Sequence, residues 1–340
     1  MKAKCHMNKK IVITFCFVFV TLLFSIYKNF KTLYNQHIYV FIHSVLYKIT
    51  HHFPFPFALI YIILFVCIIL YIFNKTKEKY LNIIIVFLWQ IILFYWLWGF
   101  NYGNNLFETT NNKNNSLIDS FYINEAFTNQ RKNLNEIKNK IIANKVVKPN
   151  EKELQAALIT ACIILKLPSK YYVKIRELKP NGILLRNGIS GIFIPFSHEG
   201  HIDAGLTDIE KPFVKLHEMS HGASITDEGE ANFVAYIAAI QSNNLHIQYS
   251  AALEYWYLLS KWIKQHNKSL YFQELNLLSK QVSQDIKHIK NNNQKYYSKL
   301  SKVGNNLNDI YLKTQGIQSG NNSYDELLYH ILDWKIKQKQ

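Results

Sequence analysis

Between Val214 and Tyr236 the chain reads VKLHEMSHGASITDEGEANFVAY, gathering two histidines, four carboxylates and an asparagine between apolar runs. Pro212 suits the first turn of a helix and Gly222 its exit, so EKPFVKLHEMSHG is expected to form one short helix. His217 and His221, four apart, then share a face and converge on one tetrahedral cation. Glu218 projects beside them, placed to take a proton from a water on that cation. This is the H-E-x-x-H pattern of zinc peptidases. It implies one Zn2+ per chain and, as partner, a peptide or protein substrate whose amide bond is hydrolysed.

The third metal ligand has three candidates. Glu228 and Asn232 have the E-x-x-x-D/N spacing by which a following helix supplies a carboxylate ligand and then a group that hydrogen-bonds a ligating histidine. Glu230 is the alternative, although with Asp227 as N-cap it also stands where a capping box would put it. Asp227 is the third, falling six residues after His221, but Ser224 stands where that arrangement uses glycine. An oxyanion donor or substrate contact is sought in PFSHEGHIDAG, where His198 and His201 precede the H-E-x-x-H helix.

The elements that must position these groups begin with membrane signals. The hydrophobic fraction, 49%, is at the upper end for a soluble protein and is unevenly spread. Runs at about 11–27, 55–73 and 81–100 approach the roughly 20 apolar residues that span a bilayer core. Three transmembrane helices are expected, the first a signal anchor because it is long for a signal-peptide core and no A-x-A-like site follows it. Lys2, Lys4, Lys9 and Lys10 in the tail and Lys75, Lys77 and Lys79 in the second loop outweigh Lys28, Lys31 and Lys48. This bias puts the N-terminus in the cytoplasm and the region after residue 101 outside it, in a multi-pass inner-membrane protein.

Between the first two runs, YNQHIYVFIHSVLYKITHHFPFPF is apolar yet carries His37, His43, His51 and His52, and reads as an interfacial helix. Residues 101–120 turn to Asn, Thr and Ser and read as a linker. The outer domain, 121–340, reads as mostly helical, with Asn150 and Glu153 in capping-box spacing. Short β-rich pieces broken by glycine and proline from Tyr171 to Phe196 suggest a small antiparallel sheet before the H-E-x-x-H helix. The fold class is therefore mainly α: three membrane helices, then a mostly helical α+β zincin-like domain.

A net charge of +16 invites a nucleic-acid reading. The lysines are scattered through Asn-rich stretches without zinc-knuckle spacing or an aromatic platform, so they read instead as a solvated face near anionic lipid. The four cysteines lie in the tail, two membrane runs and one apolar stretch, and read as free thiols.

Several stretches in one order, FPFPFA, LWGFNYG, SGIFIPFSHEGHIDAG, KPFVKLHEMSHG, DEGEANFVAYIA and NDIYLKTQGIQSGNNSYDELL, resemble a family of bacterial three-helix membrane proteins of unknown function carrying an H-E-x-x-H domain. The resemblance covers nearly the whole chain. It implies a zinc metallopeptidase similar in its site to the gluzincins, with DEGEANF as the third-ligand segment and no substrate named. Two other readings stand beside it: a catalytically silent metal-binding scaffold of the envelope, and a di-iron oxidoreductase. The latter needs a second E-x-x-H, which ELLYH does not supply.

Overall fold

The computed structural model of the chain describes residues 2–104, 106, 120–168, 171–298, 306, 308–310, 312–315, 317 and 326–339, with side chains from 9 to 335 among these. Most of the expected linker lies outside the described residues. Helices α1 (Lys2–Ile26), α4 (Phe57–Lys75) and α5 (Lys79–Leu97) contain the three stretches long and apolar enough to cross a membrane, with mean hydropathies of 2.1, 2.7 and 2.0. Only 11%, 11% and 6% of those stretches is buried within the protein, so their apolar side chains face outward, as a lipid solvent requires. The helix ends differ from the expected bounds by two or three residues at α4 and α5, and two of them have a local cause. Pro54 and Pro56 delay the start of α4 to Phe57, since proline restricts the residue before it and cannot donate. The helix α5 stops at Leu97, where Trp98 leaves helical geometry and Gly99 opens a 3-10 turn.

The segment between α1 and α4 is not one continuous α-helix. It forms α2 (Lys28–Leu33), a π-turn (Tyr34–Ile38) and α3 (Tyr39–His51), and it packs on the outer domain. The π-turn bond from Tyr39 N–H to Tyr34 O stacks residues five apart over each other. Both tyrosines are thereby fully buried on one face, their rings 6.1 Å apart. Two of its hydroxyls are satisfied internally, Tyr34 Oη donating to Trp96 O and Tyr39 Oη to Gly222 O, each at 2.8 Å; of its four histidines His43 is buried, and His37, His51 and His52 are exposed.

The outer domain consists of α6 (Ser120–Ala143), α7 (Glu151–Ile164), strands β1 (Lys174–Leu178), β2 (Gly191–Ile194) and β3 (Glu199–Asp203), then α8 (Lys211–Gly222), α9 (Glu228–Ile240), α10 (Leu245–His266), α11 (Lys268–Asn276), α12 (Lys280–Tyr296) and α13 (Leu327–Lys339). The capping box of α7 is formed: Glu153 N–H donates to Asn150 Oδ1 at 3.1 Å and Asn150 N–H to Glu153 Oε2 at 2.8 Å. Helix α6 lies against α10, with Phe127 stacked on Trp256 at 4.2 Å, and α7 lies against α9. Of the four cysteines, Cys16, Cys67 and Cys162 are free thiols, and Cys5 falls among residues whose side chains are not described.

The sheet has the order β1-β3-β2 and is mixed rather than wholly antiparallel. The hairpin β2–β3 is antiparallel, with Ile192 opposite His201, whereas β1 runs parallel to β3, with Arg176 opposite His201. Asp203, at the end of β3, explains the difference. Its carboxylate accepts N–H bonds from Gly182, Leu184 and Leu185 at 2.7–3.0 Å, so the chain leaving β1 crosses over the end of β3 and descends as β2 on the far edge. Those bonds and that of Gly205 N–H outweigh burial and hold the Asp203 carboxyl below its usual range.

Candidate metal centre

Helix α8 is wedged between the sheet and α9, and its His217, Glu218 and His221 are all largely buried. One helical turn separates the two imidazoles, whose Nε2 atoms lie 3.1 Å apart with the rings nearly perpendicular. The chain then reverses within a few residues. Ser224 takes φ +73°, a left-handed conformation costing a non-glycine residue roughly 1–2 kcal/mol. Asn35 Nδ2 donates to the Ser224 hydroxyl at 2.9 Å and so ties the turn to the segment before α3. Asp227 caps α9 by accepting the Glu230 N–H at 2.9 Å.

The capping geometry separates the three carboxylate candidates. Asp227 is spent on the cap, and Glu230, buried on α9, does not line the cavity beside the imidazoles. Glu228 does: its Oε2 lies 3.1 Å from His217 Nε2 and 3.3 Å from His221 Nε2. Asn232 follows one turn later, buried, and lines the same cavity. The hydrogen bond that orients a ligating imidazole, expected from Asn232, comes for His221 from the chain itself, since its Nδ1 faces Ile225 O at 2.8 Å.

These residues fit a zinc ion. Tetrahedral bonds of about 2.1 Å would place ligand atoms about 3.4 Å apart, close to the spacings in the triangle formed by the two imidazoles and the carboxylate. With the Nδ1 proton of His221 on a carbonyl, its Nε2 lone pair points at Glu228, an arrangement that needs a cation between them. In the metal-free chain a proton serves: against the cost of burial, the Glu228 charge raises His221 to about 9. Burial alone would raise Glu228, but the two imidazoles outweigh it and hold that carboxylate well below its usual range.

Glu218 occupies a niche that only missing side chains provide. A Cβ on Gly191 of β2 would come within 2.5 Å of Glu218 Oε1, and one on Gly200 of β3 within 3.0 Å of Glu218 Cβ. Burial pushes the Glu218 carboxyl up to about 7, opposed by His217 and His221 and aided by Glu228. A carboxyl near neutrality suits proton transfer in both directions.

The cavity beside this cluster measures about 840 Å³. Its walls include the β2 stretch from Gly188 to Phe196, Glu254 of α10, and Phe94, Trp98 and Tyr102 at and just beyond the end of α5. Glu254 was not foreseen from sequence. Burial raises its carboxyl to about 7, with Glu210 adding and His217 opposing, and the one available signal was a lone acid inside LEYWYLL. The membrane-proximal segment also braces the end of α8: Trp98 Nε1–H donates at 3.1 Å to His221 O, which accepts the Ser224 N–H as well, and Tyr39 Oη donates to Gly222 O.

His198 and His201 are elsewhere. Gly200 faces α8, so alternation along β3 turns His201 to the opposite side of the sheet, where it is fully buried. His198, at φ +52° in the β2–β3 turn, points at α3, with its Nδ1 3.0 Å from His43 Nδ1. Neither lines the cavity. Glu199, the third polar residue of that stretch, joins the sheet to the membrane helices. Its Oε2 accepts the N–H groups of Phe57 and Ala58 at the start of α4, and its Oε1 pairs with Arg176, whose Nη2 caps Thr50 O and Phe53 O.

Comparison with curated proteins gives no match, and comparison with solved structures gives none. A family model described as "Protein of unknown function (DUF3810)" matches residues 34–332, from the π-turn through both later apolar helices and the cluster of His217, His221 and Glu228 to α13. The chain belongs to this DUF3810 family.

Proposed function

We propose that this protein is a membrane-anchored, zinc-dependent peptidase. The reading is carried by the convergence of His217, His221 and Glu228 to within bonding distance of one cation at the wall of an open cavity, with Glu218 beside them. His217, His221 and Glu228 would hold the ion. Zinc supplies a Lewis acid and a bound water whose pKa falls to about 7.

Glu218 accepts the proton of the attacking water and passes it to the leaving amine nitrogen, and the glycines at 191 and 200 keep its carboxyl dry and close. Ile225 O steadies His221. The strand β2 supports a polypeptide substrate: it is a sheet edge, its outer side lines the cavity, and an extended chain can add to such an edge through main-chain hydrogen bonds. The lysine bias supports an outer domain facing away from the cytoplasm.

The test is Glu218→Gln in the full chain. Zinc content should be unchanged while peptide hydrolysis falls by about 10²–10⁴-fold. Hydrolysis that survives the substitution contradicts the mechanism, and loss of zinc from this variant contradicts the assignment of Glu218 as base rather than ligand.

A further inference from the structure

The same cavity that holds the metal cluster is walled by the end of a membrane helix. Phe94 lies in the last turn of α5 and Trp98 follows its end, and both face the space in front of His217 and His221. The Trp98 ring packs on Phe193 at 5.9 Å and on His221 at 6.3 Å. The apolar helices are therefore part of the site and not a tether to it.

The edge of β2 leads in the same direction. It starts at Gly191, against Glu218, and its continuation reaches Phe196, whose ring stacks on Tyr61 at 4.5 Å, just over one turn into α4. The start of α4 and the end of α5 thus both border this edge. Five residues of extended chain cover about 16 Å. An extended substrate lying along β2 with its reacting amide at Glu218, beside the end of α5, would reach the start of α4 about five residues later. The flanking lining, Phe94, Trp98, Phe193, Phe196, Phe213 and Leu258, is apolar.

We propose that the substrate is a polypeptide itself anchored in the bilayer, cut about five residues beyond its own apolar span in the extended stretch that leaves the membrane. The inference rests on the peptidase reading above. The membrane helices then act as a ruler, measuring the cut from the bilayer.

The test uses the full-length, zinc-loaded protein co-reconstituted in vesicles with a designed substrate. That substrate has one apolar 20-residue helix, of a length that spans a bilayer, and an uncharged extramembrane tail. A soluble peptide has the tail alone, and a third substrate carries five Gly/Ser residues inserted between helix and tail. Cut positions are read by mass spectrometry. The anchored tail should be cut roughly tenfold faster or more than the soluble one at equal bulk concentration. With the insertion, the cut should keep its distance from the helix and so shift by five residues along the tail sequence. A cut that travels with the tail sequence, or equal rates for anchored and soluble tails, overturns the ruler and leaves the peptidase standing. Failure to cut any of the three overturns both.

Discussion

Two pairs of buried imidazoles lie in this protein at almost the same spacing, and they differ in everything else that matters. His217 and His221 approach to 3.1 Å between nitrogens, His43 and His198 to 3.0 Å. The first pair faces Glu228 and an open cavity, and the carboxylate raises His221 to about 9. The second has no carboxylate. The outer nitrogens of its rings rest on the backbone carbonyls of Tyr172 and Leu97, the rings of Tyr39 and Tyr171 close around it, and burial lowers His43 to about 4 and His198 well below its usual value. Proximity of imidazoles therefore does not make a metal centre. An acid facing both rings and a path for ligands are needed as well, and His43 and His198, which lack that path, form a clasp between elements.

Breaking each pair should have opposite consequences. His221→Ala has the largest expected effect, loss of stoichiometric zinc and of all hydrolysis above background, measured by elemental analysis and peptide assay; zinc retained at one per chain would remove His221 from the ligand set. His198→Ala should leave zinc content intact. It opens a cavity and leaves Leu97 O without a partner, at a cost of about 2–4 kcal/mol. A drop of several degrees in the thermal midpoint in detergent checks this, and zinc loss at unchanged stability would reverse the two roles.

The comparison also separates the pairs by pH. Burial makes His43 and His198 bind protons less readily folded than unfolded, so stability rises with pH. The clasp should be at full strength above about 6.5, the unfolded value, and weaken as pH falls towards about 4 at His43. His43→Asn should flatten thermal midpoints measured across this window; an unchanged slope would mean that the clasp does not titrate there. Trp98→Phe, the mildest change, keeps an aromatic ring but removes the bond to His221 O, worth about 1 kcal/mol, together with part of the indole's packing. A severalfold weaker zinc affinity in a competition titration is expected, and no change would show that the membrane segment does not tune the ligand helix.

The two regions were unequally legible in sequence. The helix from Pro212 to Gly222 and the capping box of Asn150 and Glu153 depend on contacts within a few residues, so spacing alone carried them. The split between a capping Asp227 and a cavity-facing Glu228 depends on which way the first turn of α9 points, which three candidates so close in sequence cannot express. His198 and His201 were misplaced for long-range reasons. Strand parity against α8 decides one, and a partner 155 positions away, His43, decides the other. The same distance hid the packing of the strut from Lys28 to His51, whose Tyr34, Tyr39 and His43 find their partners at Trp96, Gly222 and His198. Glu254 was invisible because a single acid among aromatics at helical spacing also describes a solvent-facing position.

X-ray absorption at the zinc edge on the full-length protein, with metal counted per chain, tests the central claim most directly. One zinc per chain with only nitrogen and oxygen neighbours at about 2.0–2.2 Å, lost in Glu228→Ala and retained in Glu230→Ala, is the expected result. No stoichiometric metal, a sulfur neighbour near 2.3 Å, or zinc that survives Glu228→Ala but leaves with Glu230→Ala would contradict the account.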